Sequence, residues 1–286
     1  MEIIANENFD HERALYGRNN AFLENCSFSG EADGESAVKE CSRITAKGCF
    51  FDLRYPLWHC NGLKIQQCEM TENCRAALWY SREIEIADTA MHGCKALREC
   101  QGAHIQGCDI RSDEFGWFCR GVRLEECKME SEYCMLHSSG LRVSSLRFQG
   151  KYSFQYLEDC LFEDCRITSR DAFWHAKGVT VRNSLLAGEF LGWYSDGLTL
   201  ENCRIISSQA LCYCKNLTLV DCELVDSDLC FEKSGVQATL TAPCDSIKNP
   251  ASGRIVVPHV DEIIRDDPAS KAEIIVGDAK GGALTA

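Results

Sequence analysis

Residues 60–70 read CNGLKIQQCEM, residues 119–129 read CRGVRLEECKM, and residues 195–205 read SDGLTLENCRI. Each string starts on Cys or Ser, passes a pair ending in glycine, and places apolar residues three and five positions on. A Cys follows at the eighth position and an apolar residue at the tenth. The alternation Leu63/Ile65 or Leu198/Leu200 marks a short strand with one inward face. Cysteine spacing extends the pattern: Cys41–Cys49, Cys60–Cys68, Cys100–Cys108, Cys119–Cys127 and Cys214–Cys222 are eight apart. Cys49–Cys60 and Cys108–Cys119 are eleven apart, so the two intervals together make nineteen. Units then start at Arg18, Cys41, Cys60, Ser81, Cys100, Cys119, Ser138, Leu157, Ala176, Ser195 and Cys214, with a partial unit from Lys233. Nine of these eleven are nineteen residues long; the first is longer by four, around Glu31–Ser36, and the third by two, around Thr71–Cys74. A fixed period of this length predicts a solenoid whose rungs bury their apolar faces against their neighbours.

The turn pair ends at Gly62, Gly102, Gly121, Gly140, Gly178, Gly197 and Gly235, and at Asn216, residue types that tolerate positive φ at a tight corner. The second half of each unit ends in an aromatic segment read as a short strand: PLWH, ALWY, AFWH or LGWY. The string L-x-L-x-x-C-x-I also suits a leucine-rich repeat, but those units are longer and lack such aromatic second halves. No six-residue period supports a hexapeptide helix. The expected fold is all-β, a right-handed parallel β-helix with three sides and about eleven rungs. The expected organisation is one domain over 1–276, with an N-terminal cap at 1–17, regular rungs over 18–232, closing rungs over 233–276 and a flexible tail at 277–286.

With 286 residues, 45% hydrophobic and 26% charged, the chain has the composition of a soluble globular protein. A net charge of −13 argues against nucleic acid or an anionic membrane as partner. The start MEIIANENFD shows no signal peptide, and no apolar run is long enough to span a bilayer. Twenty cysteines without such a signal point to a reducing, cytoplasmic setting.

The segments DGESAVKE, RYPLWH, TENCRAALWYS, KALREC, FGWF, GKYSFQY, DAFWHAK, GEFLGWYS, ALCYCKNLTL and DSIKNPASG give a more specific likeness. Together they resemble an uncharacterised bacterial family of single-domain right-handed parallel β-helices, over nearly the whole chain. That resemblance implies a fold and no established activity, although some relatives carry hydrogenase-like labels. In the closing rungs it implies short strands at Ile255–Val257, Glu262–Ile264 and Glu273–Val276.

Stacking the units turns positions into columns. The eighth column holds Cys26, Cys49, Cys68, Cys108, Cys127, Cys165, Cys203 and Cys222; the start column holds Cys41, Cys60, Cys100, Cys119 and Cys214, interspersed with Ser81, Ser138 and Ser195. Thirteen of twenty cysteines are therefore rung positions, expected to pack as small buried hydrophobes. There is no Cys-x-x-Cys, and zinc, iron–sulfur or nickel–iron centres need convergent thiolates. No metal or cofactor is expected, and a hydrogenase role is disfavoured. Walker, Rossmann, nucleophile-elbow and His-Glu-x-x-His motifs are also missing from the sequence.

The seventeenth column, counting the start residue as zero and setting insertions aside, reads Lys39, Trp58, Trp79, Arg98, Trp117, Leu136, Gln155, Trp174, Trp193, Cys212, Phe231. All five tryptophans lie in it. The next column reads Glu40, His59, Tyr80, Glu99, Phe118, His137, Tyr156, His175, Tyr194, Tyr213, Glu232. Charges in both columns predict a bend that leaves the two wet, as an aromatic-lined face. A sugar chain suits such a face; the alternative is a stacking ladder supporting the solenoid, a homodimer or a protein partner.

The expected substrate-binding residues are Lys39, Arg54, Trp58, Trp79, Trp117, Trp174, His175, Trp193 and Tyr194, the last four in a second patch with Asp171 and Glu189. The candidate catalytic set is Glu40, His59, Tyr80, Arg98 and Glu99. In it, His59 or Tyr80 acts as base, Arg98 neutralises a uronate, and a Glu orients the base. Glu40 and Glu99 stand three rungs apart, roughly 14 Å at the usual strand spacing, too far for a glycosidase pair unless a loop acid such as Asp33 or Glu35 joins. His59, His137 and His175 are too widely spaced to share a metal. A lyase or isomerase and a non-catalytic carbohydrate-binding solenoid are the leading readings, with a protein-interaction scaffold as the third.

Overall fold

In Asn61–Gln66, Leu63 and Ile65 are buried while Lys64 and Gln66 are exposed, so the strand keeps one apolar face. Its register places Leu63 beside Ile44 and Ile84, and Ile65 beside Ala46 and Ile86. Like side chains therefore stack on like, rung after rung, and the inward columns form the core. The computed structural model describes residues 1–30 and 35–277; the expected tail from 278 onward and part of the first insertion lie outside the described residues. Every described element is β-structure or turn, and the coil is a right-handed parallel solenoid. About 14 turns are present, more than the eleven regular units, because short terminal strands complete further turns.

The chain divides into two compact units, Met1–Arg147 and Phe148–Ala286. In the first, a ladder of longer parallel strands runs through Glu2–Ala5, Asn19–Glu24, Ser42–Lys47, Asn61–Gln66, Arg82–Ala87, Gln101–Gln106, Arg123–Glu125 and Arg142–Ser144. A ladder of shorter strands runs from Asn8–Phe9 to Lys128–Glu132. Phe9, Phe28 and Phe51 stack along it with centroids 5.1 and 4.9 Å apart. In the second unit the longer ladder runs from Leu161–Glu163 to Glu273–Val276. The closing strands of this unit are Ser252–Val257 and Glu273–Val276 in that ladder and Val260–Ile264 in a separate pair with Cys244–Lys248; Ser252–Val257 and Val260–Ile264 are longer than expected.

Two local expectations need correction. The segments PLWH, ALWY, AFWH and LGWY are turns, not strands, so each rung has two strand sides and a side made of turns. The corner glycines do adopt left-handed φ, as at Gly62 (73°), and Asn216 does the same at 49°, but Gly235 does not. Gly235 instead lies close against Ser252, whose Oγ would sit 3.1 Å from an added Cβ.

Candidate functional site

The turn side owes its shape to one backbone feature. Glu40, His59, Tyr80, Glu99, Phe118, His137, Tyr156, His175, Tyr194 and Tyr213 all have φ between 52° and 61°. Non-glycine residues enter this left-handed region only when the surroundings compensate. Compensation comes from the amide: Glu40 N–H donates to Trp58 O (2.8 Å), His59 to Trp79 O (3.0 Å), Tyr80 to Arg98 O (2.9 Å) and Glu99 to Trp117 O (2.8 Å). His175 N–H does the same to Trp193 O at 2.9 Å. The left-handed residue breaks the alternation of a strand, so adjacent side chains both turn outward. All five tryptophans are half-buried and none is enclosed. At its far end the column turns inward instead, with Cys212 and Phe231 buried.

Four of the five outward indoles are tied down. Trp79 Nε1–H donates to Lys95 O (2.5 Å), Trp117 to Tyr133 O (2.6 Å), Trp174 to Phe190 O (2.7 Å) and Trp193 to Gln209 O (2.6 Å), always sixteen residues on. Gln155 Nε2 makes the same bond to Asp171 O at 3.1 Å. Trp58 alone has a buried indole nitrogen without a partner. The rung it faces carries the two-residue insertion but keeps the usual ladder beside it, Tyr55 N–H donating to Arg75 O and Leu57 N–H to Ala77 O, both at 3.0 Å.

In the first unit the seventeenth column forms a cation–aromatic stack. Lys39 Nζ lies 5.2 Å from the Trp58 ring, and Trp58 stacks on Trp79 at 5.7 Å. The Arg98 guanidinium is inserted between Trp79 (5.1 Å) and Trp117 (5.5 Å), and also covers Phe118 (5.6 Å). Arg98 Nε is buried without a hydrogen-bond acceptor, and Glu99 Oε1 stands 3.6 Å away, within ion-pair range only. In the outer column, His59 and Tyr80 pair at 4.8 Å and Phe118 stacks on His137 at 5.4 Å. Tyr16 donates its hydroxyl to Glu40, which raises the Tyr16 pKa. Arg54 is removed from this stack; it pairs with Glu35 at 3.3 Å. The five candidate catalytic residues thus share one face, but Glu40, His59 and Arg98 are each engaged with a neighbour.

The second unit carries an unbroken outer stack: Tyr156–His175 at 4.8 Å, His175–Tyr194 at 5.1 Å and Tyr194–Tyr213 at 5.0 Å. Trp174 and Trp193 stack beneath at 5.4 Å. Burial lowers the His175 pKa and raises that of Asp171, which lies 3.4 Å from Arg170 Nε.

The cysteines have a more polar role than packing alone. In the start column, Cys60 N–H donates to Ser81 Oγ (3.0 Å), Cys100 N–H to Cys119 Sγ (3.4 Å) and Cys119 N–H to Ser138 Oγ (2.9 Å). Hydroxyls and thiols of this column also donate to a carbonyl of the preceding rung, as Ser81 to Leu57 O and Cys60 to Val38 O, both at 3.0 Å. Nineteen of the twenty free thiols are buried, Cys94 being the exception. Burial pushes Cys74, Cys212 and Cys214 up to about 12, far from a reactive thiolate. Among the described residues no group of three or more His, Cys, Asp or Glu side chains converges as metal ligands. No helix among them is long and apolar enough to cross a membrane.

Three features escaped the sequence reading: the Tyr16–Glu40 bond, the Arg98 insertion, and a cleft beside the Thr71–Cys74 insertion. The insertion was the one signal for that cleft.

Residues 2–276 match a protein family described as "Protein of unknown function (DUF3737)". No curated protein matches the chain. Among solved structures, it is similar to HetL, a pentapeptide repeat protein involved in heterocyst differentiation regulation from the cyanobacterium Nostoc sp. strain PCC 7120. That likeness has 11% identity and a TM-score of 0.26, over 77% of this chain and 91% of HetL. It is also similar to the A-module of the mannuronan C-5 epimerase AlgE4 of Azotobacter vinelandii, at 9% identity and TM-score 0.28, over 94% and 86% of the two chains. Likeness at this level carries no statement about activity.

Proposed function

The chain belongs to the DUF3737 family, and for it we propose a non-catalytic role: binding an acidic carbohydrate chain on the outward face of the first unit. The observation that carries this reading is a break in the outer column. Tyr80 and Phe118 flank the rung of Glu99, where no ring stands, leaving a gap two rungs wide, roughly 10 Å at the strand spacing. A single sugar ring fits between two aromatic faces at that separation. Beneath the gap lies Arg98, with a buried donor that lacks an acceptor, suited to a uronate carboxylate. Glu99 supplies hydrogen bonds to hydroxyls.

Where rings stand on consecutive rungs of the outer column, as in His59–Tyr80, Phe118–His137 and Tyr156–His175–Tyr194–Tyr213, their facing surfaces are covered. Pyranose stacking is therefore assigned to the gap. Turnover is disfavoured because Glu40 already accepts the Tyr16 hydrogen bond and the base candidates His59 and Tyr80 are packed on each other. The second unit favours another use of its face: Tyr156 and Tyr194 are 40% and 45% exposed in an unbroken ridge, a surface suited to a protein partner or a second copy.

The test is titration with oligogalacturonate, followed by tryptophan fluorescence and by ultraviolet absorbance for unsaturated products. Binding without product is expected, weakened about tenfold in Tyr80→Ala and in Glu99→Gln. Undiminished binding in both variants, or none in the parent, overturns the reading; product formation restores the lyase.

A further inference from the structure

Near the end of the second unit one corner of the coil is a residue short. Ser195 and Leu198, like Cys214 and Leu217, stand three positions apart. Ser234 continues the start column, its hydroxyl accepting the Cys214 amide at 2.9 Å, and Val236 continues the strand beside Leu217. These two stand only two positions apart. The missing residue is the left-handed one, so Gly235 lacks the positive φ that Gly178 and Gly197 adopt.

The shortened corner leaves a backbone donor over. At regular corners the left-handed residue donates to the carbonyl eighteen positions on, Gly178 to Asp196 O at 3.0 Å and Gly197 to Lys215 O at 2.9 Å. For Asn216 that carbonyl is Ser234 O, which instead accepts the amides of Ala251 (2.9 Å) and Ser252 (3.4 Å). The Asn216 N–H therefore has no acceptor among the described residues. The next rung sinks at the same place: Gly253 lies so close to the strand before it that a Cβ would meet Val236 O at 1.9 Å. The result is a cleft of about 660 Å³ whose polar lining is Lys215, Asn216, Thr218, Lys233, Gln237 and Ser252.

We infer that this cleft binds a phosphate group, carried by a small phosphomonoester. Lys215 and Lys233 are exposed and form no ion pair among the described residues, and no acid lines the cleft. Acids on adjoining positions are already engaged: Asp196 accepts from Asn216 Nδ2 (2.7 Å), Glu232 pairs with Lys248 (3.2 Å) and Glu273 with Arg254 (3.5 Å). In a chain of net charge −13, two cations without a counter-charge mark a place that favours an anion. Two ammonium groups and a free amide suit a tetrahedral oxyanion, since neither lysine offers the planar fork that matches a carboxylate. The cleft is larger than the ion alone, and Thr218, Gln237 and Ser252 offer hydroxyl and amide groups to the rest of an ester. Nothing in this site rests on the carbohydrate reading of the first unit.

The unpaired amide supplies the readout. In an amide-resonance titration of the isotope-labelled protein, β-glycerophosphate is expected to move the Asn216 signal saturably, and glycerol to leave it in place. Inorganic phosphate should move the same signal with about tenfold weaker affinity; equal affinity makes the free ion the guest and overturns the ester assignment. Lys215→Gln and Lys233→Gln should each weaken binding about tenfold with the thermal midpoint unchanged. Lys177→Gln, which removes a lysine paired with Glu158, should bind as the parent does. The site is overturned if neither phosphate moves Asn216 saturably, or if acetate at equal ionic strength moves it as far. It is equally overturned by undiminished binding in both cleft variants, or by an equal loss in Lys177→Gln.

Discussion

Ser81 accepts the amide proton of Cys60 at 3.0 Å and donates its own hydroxyl to Leu57 O at 3.0 Å. One small side chain thereby serves two backbone groups that the strand ladders leave over. Thiols take up the same two roles, Cys119 accepting the Cys100 amide and Cys60 and Cys100 donating to Val38 O and Leu78 O, which explains why Cys and Ser share this column. Ser81→Cys is expected to cost under about 1 kcal/mol, and Ser81→Ala about 1–3 kcal/mol, because alanine strands a buried donor and a buried acceptor. Urea unfolding measures the difference; equal loss in both variants would mean that the column acts by packing alone.

The indole bonds give a paired comparison. Trp79 donates to Lys95 O, whereas the Trp58 nitrogen has no acceptor. Trp79→Phe should therefore destabilise more than Trp58→Phe, by about 1 kcal/mol, although the two rings stack on each other. Denaturation midpoints of the three proteins test this.

The rungs were legible because burial on parallel strands forces a strict period, and the cysteine intervals expose it. Leu63 and Ile65 announce their inward direction by alternation alone. The turn side was harder to read. PLWH and ALWY look like strand because their aromatic content mimics β-propensity, while the deciding feature, left-handed φ at His59 and Tyr80, recurs at Glu40, Glu99 and Phe118 and so follows no one residue type. Its cause is the next rung's carbonyl, which a linear string does not display. Both outward columns were legible from their charges, but not the insertion of Arg98 between two indoles, since that depends on side-chain direction. The cleft at Arg75 was visible only as a break in the count.

Arg98 replaces a ring in the inner stack, so its loss should be felt as lost packing as much as lost charge. Arg98→Ala is expected to destabilise by about 1–2 kcal/mol and to shift tryptophan emission to the red as water reaches Trp79 and Trp117. Arg98→Leu should recover the emission but only part of the stability. Identical emission in the parent and Arg98→Ala proteins would show that the guanidinium does not shield the indoles.

His175 lies between Tyr156 and Tyr194, its ring within 8° and 10° of theirs, and burial lowers its pKa. The folded protein therefore takes up a proton less readily than the unfolded chain, whose histidine titrates near about 6.5. Stability from this site is fully present above that value and is lost as pH falls through it toward the folded pKa. A decline in thermal midpoint beginning below about pH 6.5 is expected for this unit. His175→Phe keeps the stack and removes the titration, so its midpoint should stay flatter over the same interval. The comparison is cleanest between about pH 7 and 5, before most carboxylates protonate. Parallel curves for the parent and His175→Phe would rule out a contribution from the stacked imidazole, and a steeper fall in the variant would reverse the assigned sign.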